Sequence, residues 1–352
     1  MRNFDNHPCF NDKVRHKYAR VHLPVAERCN IQCGFCNRKY DCINESRPGV
    51  TSTVLTPLQA LAYLDKIVER YPNLSVVGIA GPGDTFASPA ESMETMKLVN
   101  EKYPHLLLCV ATNGLNLPDY IDELSRLNIS HVTITINSVD PEIGAKIYPW
   151  VRFGKRARVG TEGAQILLEN QLKSIKMLKE RNIMVKINTI IIPGINDEHI
   201  EEVAKTVAEA GADILNCIPI YPASSSPFEN IPSPSAELIH TIREKAGKYI
   251  PLMHHCTRCR ADAVGILGES MKDETINLLW EASQLTFEDT PSRLYTAVAS
   301  MEGLLVNEHL GEAEELWIFQ PEGTSFKMIE KRKTPARGGG MERWENLARL
   351  IS

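Results

Sequence analysis

Apolar positions along the first 220 residues follow two alternating rhythms. Short runs rich in β-branched residues, Val21–Val25, Leu74–Ile79, Leu106–Ala111, His131–Ile136, Met184–Ile191 and Ile214–Ile220, read as strands. Between them lie amphipathic stretches with helical spacing: Pro57–Arg70, Ala90–Lys102, Asp119–Leu127, Glu162–Arg181 and His199–Ala210. Thr56 is an N-cap followed by proline at the first helical position, and Gly211 ends the helix before the sixth strand. Serial βα units predict a parallel sheet with right-handed crossovers. The fold class is therefore α/β, and its simplest closure is a partial, six-stranded (β/α)6 barrel. Chemistry in such barrels sits at the C-terminal ends of the strands. Gly81–Asp84, Thr112–Gly114 and Asn137–Asp140 all fall just after predicted strands.

Beyond residue 220 the rhythm changes. Ser224–Ser235, rich in serine and proline, reads as a loop, and Lys272–Gln284 as a helix. A new alternation begins at Leu294, with strand-like runs Leu294–Ser300, Leu304–Asn307, Glu315–Phe319 and Phe326–Glu330, then a helix over Met341–Ile351. The predicted organisation is a barrel domain with its extensions over 1–270, a linker over 271–292, and a small, apparently truncated α/β module over 293–352. The basic segment Arg152–Arg158 reads as a solvated loop; the other reading is a cover over an anionic group.

Composition narrows the function classes. A net charge of −5 gives no basic field for nucleic acid or an anionic membrane. No apolar run approaches the ~20 residues of a membrane span, and Met1–Asn11 lacks an apolar signal core. A cytoplasmic location is the expectation. Nine cysteines in a reducing compartment point to metal or redox chemistry.

The strongest motif is Cys29-Asn-Ile-Gln-Cys33-Gly-Phe-Cys36. Three thiolates on one loop grip three corners of a [4Fe–4S] cubane and leave the fourth iron open. S-adenosylmethionine (SAM) chelates such an iron through its amino and carboxylate groups. An electron from the cluster then cleaves it to a 5′-deoxyadenosyl radical. The competing readings are a ferredoxin-type cluster, or a zinc site in which Cys256 and Cys259 supply a second pair.

A cysteine triplet directly after the first strand resembles the radical SAM superfamily. Ala80-Gly-Pro-Gly-Asp-Thr85 stands where that family places its SAM-amino loop. The resemblance assigns Gly81, Gly83 and Asp84 to SAM; the bland reading is a glycine turn. Asn137 and Ser138 meet the ribose or carboxylate of SAM, or else cap the helix that follows.

Further motifs carry a narrower resemblance. They are His7-Pro-Cys9-Phe10-Asn11, the stretch from His22-Leu-Pro-Val through Cys33, Cys36-Asn-Arg-Lys-Tyr-Asp-Cys42, Asn44-Glu-Ser-Arg-Pro-Gly49, and Cys259-Arg-Ala-Asp-Ala-Val-Gly265. Over residues 1–270 the chain resembles the NifB family of nitrogenase cofactor-assembly enzymes. From Tyr295, the stretch Val298 to His309 is similar to the start of a NifX-like module. The resemblance implies an eight-iron, carbide-containing cluster. It would be built from two [4Fe–4S] units, a SAM-derived carbon and an added sulfur. Three [4Fe–4S] clusters are implied. Cys29, Cys33 and Cys36 hold the SAM cluster. His22, Cys42 and Cys109 are grouped on one substrate cluster, and Cys9, Cys256 and Cys259 on the other. Glu45 and Arg47 are cast as proton-moving or bracing residues; a surface ion pair is the alternative. Cys109 reads equally as a buried core thiol, His22 as a satisfied core histidine, and Cys217 as core. The implied partners are a ferredoxin- or flavodoxin-type electron donor and downstream cofactor scaffold or carrier proteins. Two other functions compete: a radical SAM enzyme with auxiliary clusters acting on an organic substrate, and a non-enzymatic iron–sulfur carrier.

Overall fold

The computed structural model describes residues 7, 8, 10, 14–42, 50, 51, 53–254, 256, 260–267, 273–287, 295–301, 306, 308–322, 325–338 and 340–351. The chain divides into two compact units, Met1–Leu285 and Thr286–Ser352.

The first unit runs through β1 (Ala19–His22), β2 (Ile31–Gln32), α1 (Pro57–Arg70), β3 (Leu74–Ile79), α2 (Pro89–Lys102) and β4 (Leu107–Thr112). A 3-10 turn (Leu117–Tyr120) then enters α3 (Ile121–Leu124), followed by β5 (Ile129–Thr135), α4 (Pro141–Ile147), β6 (Trp150–Phe153) and β7 (Arg156–Arg158). The unit ends with α5 (Gly160–Glu180), β8 (Met184–Ile191), α6 (Ile200–Glu209), β9 (Ile214–Pro219), α7 (Ala236–Ala246), β10 (Val264–Gly265) and α8 (Asp273–Ser283).

Six parallel strands in the order β1-β3-β4-β5-β8-β9 form one curled sheet, open as a half-barrel. The expected α/β architecture is therefore present. A seventh strand, β10, adds antiparallel to β1 through Arg20↔Gly265 and Val21↔Val264. Such a two-residue strand has no periodicity to read in sequence. The first strand also lies earlier than expected, at Ala19–His22, because the chain leaves the sheet where Leu55 N–H bonds to Pro24 O.

Local chemistry explains the helix ends. Thr56 and Gln59 form a capping box before α1, at 3.4 and 2.9 Å. Gly211, at φ +102°, turns the chain after α6 while Ala212 N–H bonds to Val207 O at 2.9 Å. Period-two alternation sorts the strand residues into two sets. Leu108, Val110, Val132, Ile134, Val185 and Ile187 join Ile67, Met96, Ile175, Leu178 and Val203 of the helices in one apolar core. Cys109, His131, Thr133, Lys186 and Asn188 occupy the other face of the same strands. Asp273–Ser283, within the stretch expected as a linker, belongs to this unit: Leu279 and Ala282 lie in its core, and Gln59 donates to Ser283 O at 2.9 Å.

Arg152–Arg158, expected as a loop, forms most of a β-hairpin. Phe153↔Arg156 pairing leaves Gly154 and Lys155 as a two-residue turn, with Gly154 at φ +60°. The hairpin forms because Ile31↔Val151 pairing sets β6 against β2 and buries Val151 completely.

The second unit is a three-stranded antiparallel sheet, β11 (Thr296–Ala299), β12 (Glu315–Glu322) and β13 (Ser325–Lys333), with α9 (Gly340–Ile351). Ala299, Ala313, Leu316, Ile318 and Leu347 form its small core. The expected run Leu304–Asn307 lies mostly outside the described residues. Among the described residues, no helix is long and apolar enough to cross a membrane.

One contact governs the C-terminal end of the first strands of the sheet. The loop after β3 packs backbone to backbone on the segment after β1: Gly83 N–H donates to Ala26 O at 2.5 Å, and Asp84 N–H to Arg28 O at 2.7 Å. A Cβ on Gly83 would stand 2.1 Å from Arg28 O. Gly83→Ala is therefore expected to destabilise the fold by about 3 kcal/mol. Gly154→Ala, strained only by its φ and open on all sides, should cost about 1–2 kcal/mol. Guanidinium unfolding of the apo chain under anaerobic conditions compares them; equal losses would reject the close-approach argument.

Candidate active site

Cys29, Cys33 and Cys36 lie on the loop that leaves β1. Three neighbours hold that loop. β2 pairs with β6, while Gly34 N–H bonds to Ile147 O at 2.7 Å and Arg152 N–H to Asn30 O at 2.7 Å. Gln32 donates from its side chain to Cys33 O at 3.0 Å and Cys36 O at 2.9 Å, so the thiol-bearing turn is tied internally. The serine- and proline-rich loop closes over it: Phe228 N–H bonds to Gly34 O at 3.0 Å, and Asn37 donates to Ser224 O at 2.7 Å. The Phe228 ring lies so close that a Cβ on Gly34 would meet it at 2.4 Å. Gly34 is required there because the ring needs the space.

The three cysteines line one pocket together with Ile31, Phe35, Arg38, Cys42, Gly83, Asp84 and Asn113. Burial, with the Asp84 carboxylate second, pushes the Cys29 thiol up to about 12. Burial also raises the Cys36 thiol, while the Arg38 guanidinium opposes that shift. Burial thus favours the protonated form of Cys29 and Cys36 in the absence of a metal. Soft thiolates on one turn, shielded by Ile31 and Phe35 and facing glycine backbone, are a donor set that fits a [4Fe–4S] cluster.

Asp84 is buried and joins the loop after β3 to the loop after β4. Its carboxylate accepts from Asn113 N–H at 2.6 Å, the Thr112 hydroxyl at 2.9 Å and Phe86 N–H at 3.0 Å. Burial raises its carboxyl and these donors oppose the rise. Asn113 donates in turn to Asn30 Oδ1 at 2.7 Å and to Cys29 Sγ at 3.9 Å. Asn113, Asn30 and Arg38 were not singled out from sequence. Asn113 had a readable signal, the polar triplet directly after a strand; the other two gain their places only when loops distant in sequence meet.

A second donor set crosses the inner face of the sheet. The register aligns His22↔Gly78, Gly78↔Cys109 and Cys109↔His131 on four adjacent strands. Gly78 leaves a gap in that row. A Cβ there would stand 3.0 Å from Cys109 Sγ and 3.2 Å from His22 Nε2, so these two atoms border the same space. His22 Nδ1 lies 2.9 Å from Arg260 O. A carbonyl only accepts, so Nδ1 carries the proton and Nε2 keeps its lone pair. Burial, then the Arg20 charge, lowers His22 to about 4 and keeps it neutral.

The structure thus brings His22 and Cys109 together and places Cys42 on the triad's pocket, anchored by its N–H to Pro82 O at 3.0 Å. Cys256 is exposed, and Cys217 lies in the apolar core, its thiol raised to about 12 by burial. Cys9, Glu45, Arg47 and Cys259 lie outside the described residues. Asn137 accepts from Ile190 N–H at 2.8 Å, and Ser138 closes a local turn with Asp140 at 2.8 and 3.0 Å. Both side chains hold the loop after β5, and Asp140 caps α4 by accepting from Glu142 N–H at 2.8 Å.

Residues 23–207 match the model of the Radical SAM superfamily. The FeMo cofactor biosynthesis protein NifB of Chlorobaculum tepidum is 54% identical over 352 residues, 99% of this chain and 83% of that one. The proteins of that name from Bradyrhizobium diazoefficiens and Azotobacter vinelandii are 41% and 40% identical, each over 93% of this chain and 73% and 74% of theirs. Among solved structures, Streptococcus suis SuiB bound to S-adenosylmethionine aligns with a TM-score of 0.48 at 14% identity, covering 68% of this chain and 52% of that one. The chain belongs to the radical SAM superfamily and, within it, to the NifB family of enzymes of FeMo cofactor biosynthesis.

Proposed function

We propose that this enzyme builds an eight-iron, carbide-containing precursor of the nitrogenase cofactor. Two [4Fe–4S] substrate clusters are fused with a carbon taken from SAM and an added sulfur. The observation that carries this reading is a pair of distinct donor sets on one half-barrel. A thiol triad sits on the β1 loop beside a glycine loop, and an imidazole–thiol pair, His22 and Cys109, lies on the inner face of the sheet. The second set is where a cluster other than the SAM cluster would bind.

Cys29, Cys33 and Cys36 would hold the resident [4Fe–4S] cluster. When bound, that cluster supplies an electron for the reductive cleavage of SAM. The chain's own residues prepare the place. Gly83 and Asp84 line the pocket where the SAM amino group would lie, and Asp84 keeps that loop docked against Thr112 and Asn113. Asn113 steadies Cys29, and Arg38 sets a positive charge beside Cys36. His22 and Cys109, with Cys42, would hold one substrate cluster; Cys9, Cys256 and Cys259 would hold the other. A neutral imidazole binds iron less firmly than a thiolate, which suits a cluster that must later leave. Glu45 and Arg47 are assigned to proton movement at the converting cluster.

Anaerobic reconstitution followed by dithionite and SAM tests the reading. About twelve irons per chain are expected, with both 5′-deoxyadenosine and S-adenosylhomocysteine formed and a changed EPR signal of the product cluster. Deoxyadenosine alone at about four to eight irons would replace this reading with a radical SAM reaction on an organic substrate. No SAM product at full iron loading would leave a cluster carrier.

Two variants localise the parts. Cys33→Ala should lose about four irons per chain and all SAM cleavage. Cys109→Ala should also lose about four irons but keep deoxyadenosine formation; loss of both would mean the two sets are not separable. Asp84→Ala leaves the Asn113 N–H and Thr112 hydroxyl without their acceptor. It is expected to weaken SAM binding about tenfold, the equivalent of ~1.4 kcal/mol, measured by calorimetry on the reconstituted protein.

A further inference from the structure

The inner-face row extends past Cys109 to a second set of donors. Cys109 and His131 are register partners on β4 and β5. His7, from the segment before β1, reaches the same place. Its ring meets His131 edge-on at 5.0 Å, and Phe10 packs edge-on against His7 and His131 at 4.9 and 4.5 Å. Both histidines are buried, 0% and 5% exposed. One ligand atom each from His7, Cys109 and His131 lies within 4.8 Å of the other two.

Ser130 decides which His131 nitrogen is available. Its hydroxyl has one proton, and Leu108 O takes it at 2.9 Å. The hydroxyl oxygen therefore accepts from His131 Nδ1–H at 3.1 Å, and Nε2 keeps the lone pair. A hydrogen bond from the far ring nitrogen is the arrangement that orients metal-binding imidazoles. Ser130 serves His131 in the way that Arg260 O serves His22.

We propose that His7, Cys109 and His131 form a site for one divalent transition-metal ion of borderline softness, such as Fe2+ or Zn2+. A tetrahedral ion with bonds of about 2.0–2.3 Å sets its donors roughly 3.3–3.8 Å apart. The observed set closes on one ion by side-chain movements of about 1 Å. Two imidazoles and a thiolate select against Mg2+ and Ca2+, which take oxygen donors. On binding, the Cys109 thiol gives its proton to solvent, both imidazoles stay neutral, and no electron is transferred. The set does not rest on the substrate-cluster donors proposed above, and because it takes the same Cys109 thiolate, the ion and that substrate cluster bind one at a time. It shares Cys109 but replaces His22, on the other side of that thiol, with His7 and His131.

Cobalt(II) is the probe. It is titrated anaerobically into the full chain carrying Cys29→Ala, Cys33→Ala and Cys36→Ala, with neither iron–sulfur cluster nor SAM present. The expected result is a site with a thiolate-to-cobalt charge-transfer band, tetrahedral ligand-field bands, and an X-ray absorption first shell containing two imidazole nitrogens and one sulfur. Cys109→Ser in that background should abolish the charge-transfer band, and His7→Asn or His131→Asn should weaken binding about tenfold or more. Thermal unfolding shows whether each variant is folded; for one that is not, the first shell of the parent decides. Unchanged cobalt affinity and spectrum in folded Cys109→Ser or His131→Asn would overturn the proposal, as would a first shell of sulfur without nitrogen.

Discussion

The catalytic end of this protein depends on how closely two loop backbones approach. Gly83 lies against Ala26 and Arg28 with no room for a side chain. Two backbone hydrogen bonds, from Gly83 and Asp84 to those residues, hold the contact. The loop after β3 and the loop that carries the cysteines are therefore fastened to each other. Asp84 extends that contact to the next strand, because its buried carboxylate is shared among Phe86, Thr112 and Asn113. A buried carboxylate is costly unless donors surround it. The same donors that satisfy Asp84 also place Asn113 beside Cys29.

A second constraint is period-two alternation on a sheet whose helix-bearing face is mostly apolar. Leu108, Val110, Val132 and Ile134 must face the helices, so Cys109 and His131 must face inward. Parallel register then lines up His22, Cys109 and His131 on adjacent strands, and Gly78 removes the one side chain that would fill the gap. Imidazoles held neutral by burial, each tied at Nδ1 by Arg260 O or Ser130, present Nε2 inward. The inner face is a donor surface because the outer face is a core.

The cysteine loop itself has little regular structure. It is held from outside by the β6–β7 hairpin, by Phe228 over Gly34, and by the Gln32 side chain within. Two of these three supports come from segments that read in sequence as loops.

Much was legible before any coordinates. The six parallel strands, the helices between them, the Thr56 cap and the Gly211 stop follow from periodicity and local backbone preference, which act over a few residues. The cysteine triplet and its family followed from spacing on one short segment. Other features depend on which distant segments meet. β10 exists only because the chain returns to pair with β1. The Arg152–Arg158 hairpin exists because β2 offers an edge. His131 read as an ordinary strand residue, and His7 as part of a motif. That they converge on Cys109 is set by strand register and by the path of the N-terminal segment. Local sequence determines what each segment prefers to be, because propensity and periodicity are short-range. Only tertiary structure decides which side chains share a space, because register and loop closure join residues more than a hundred positions apart.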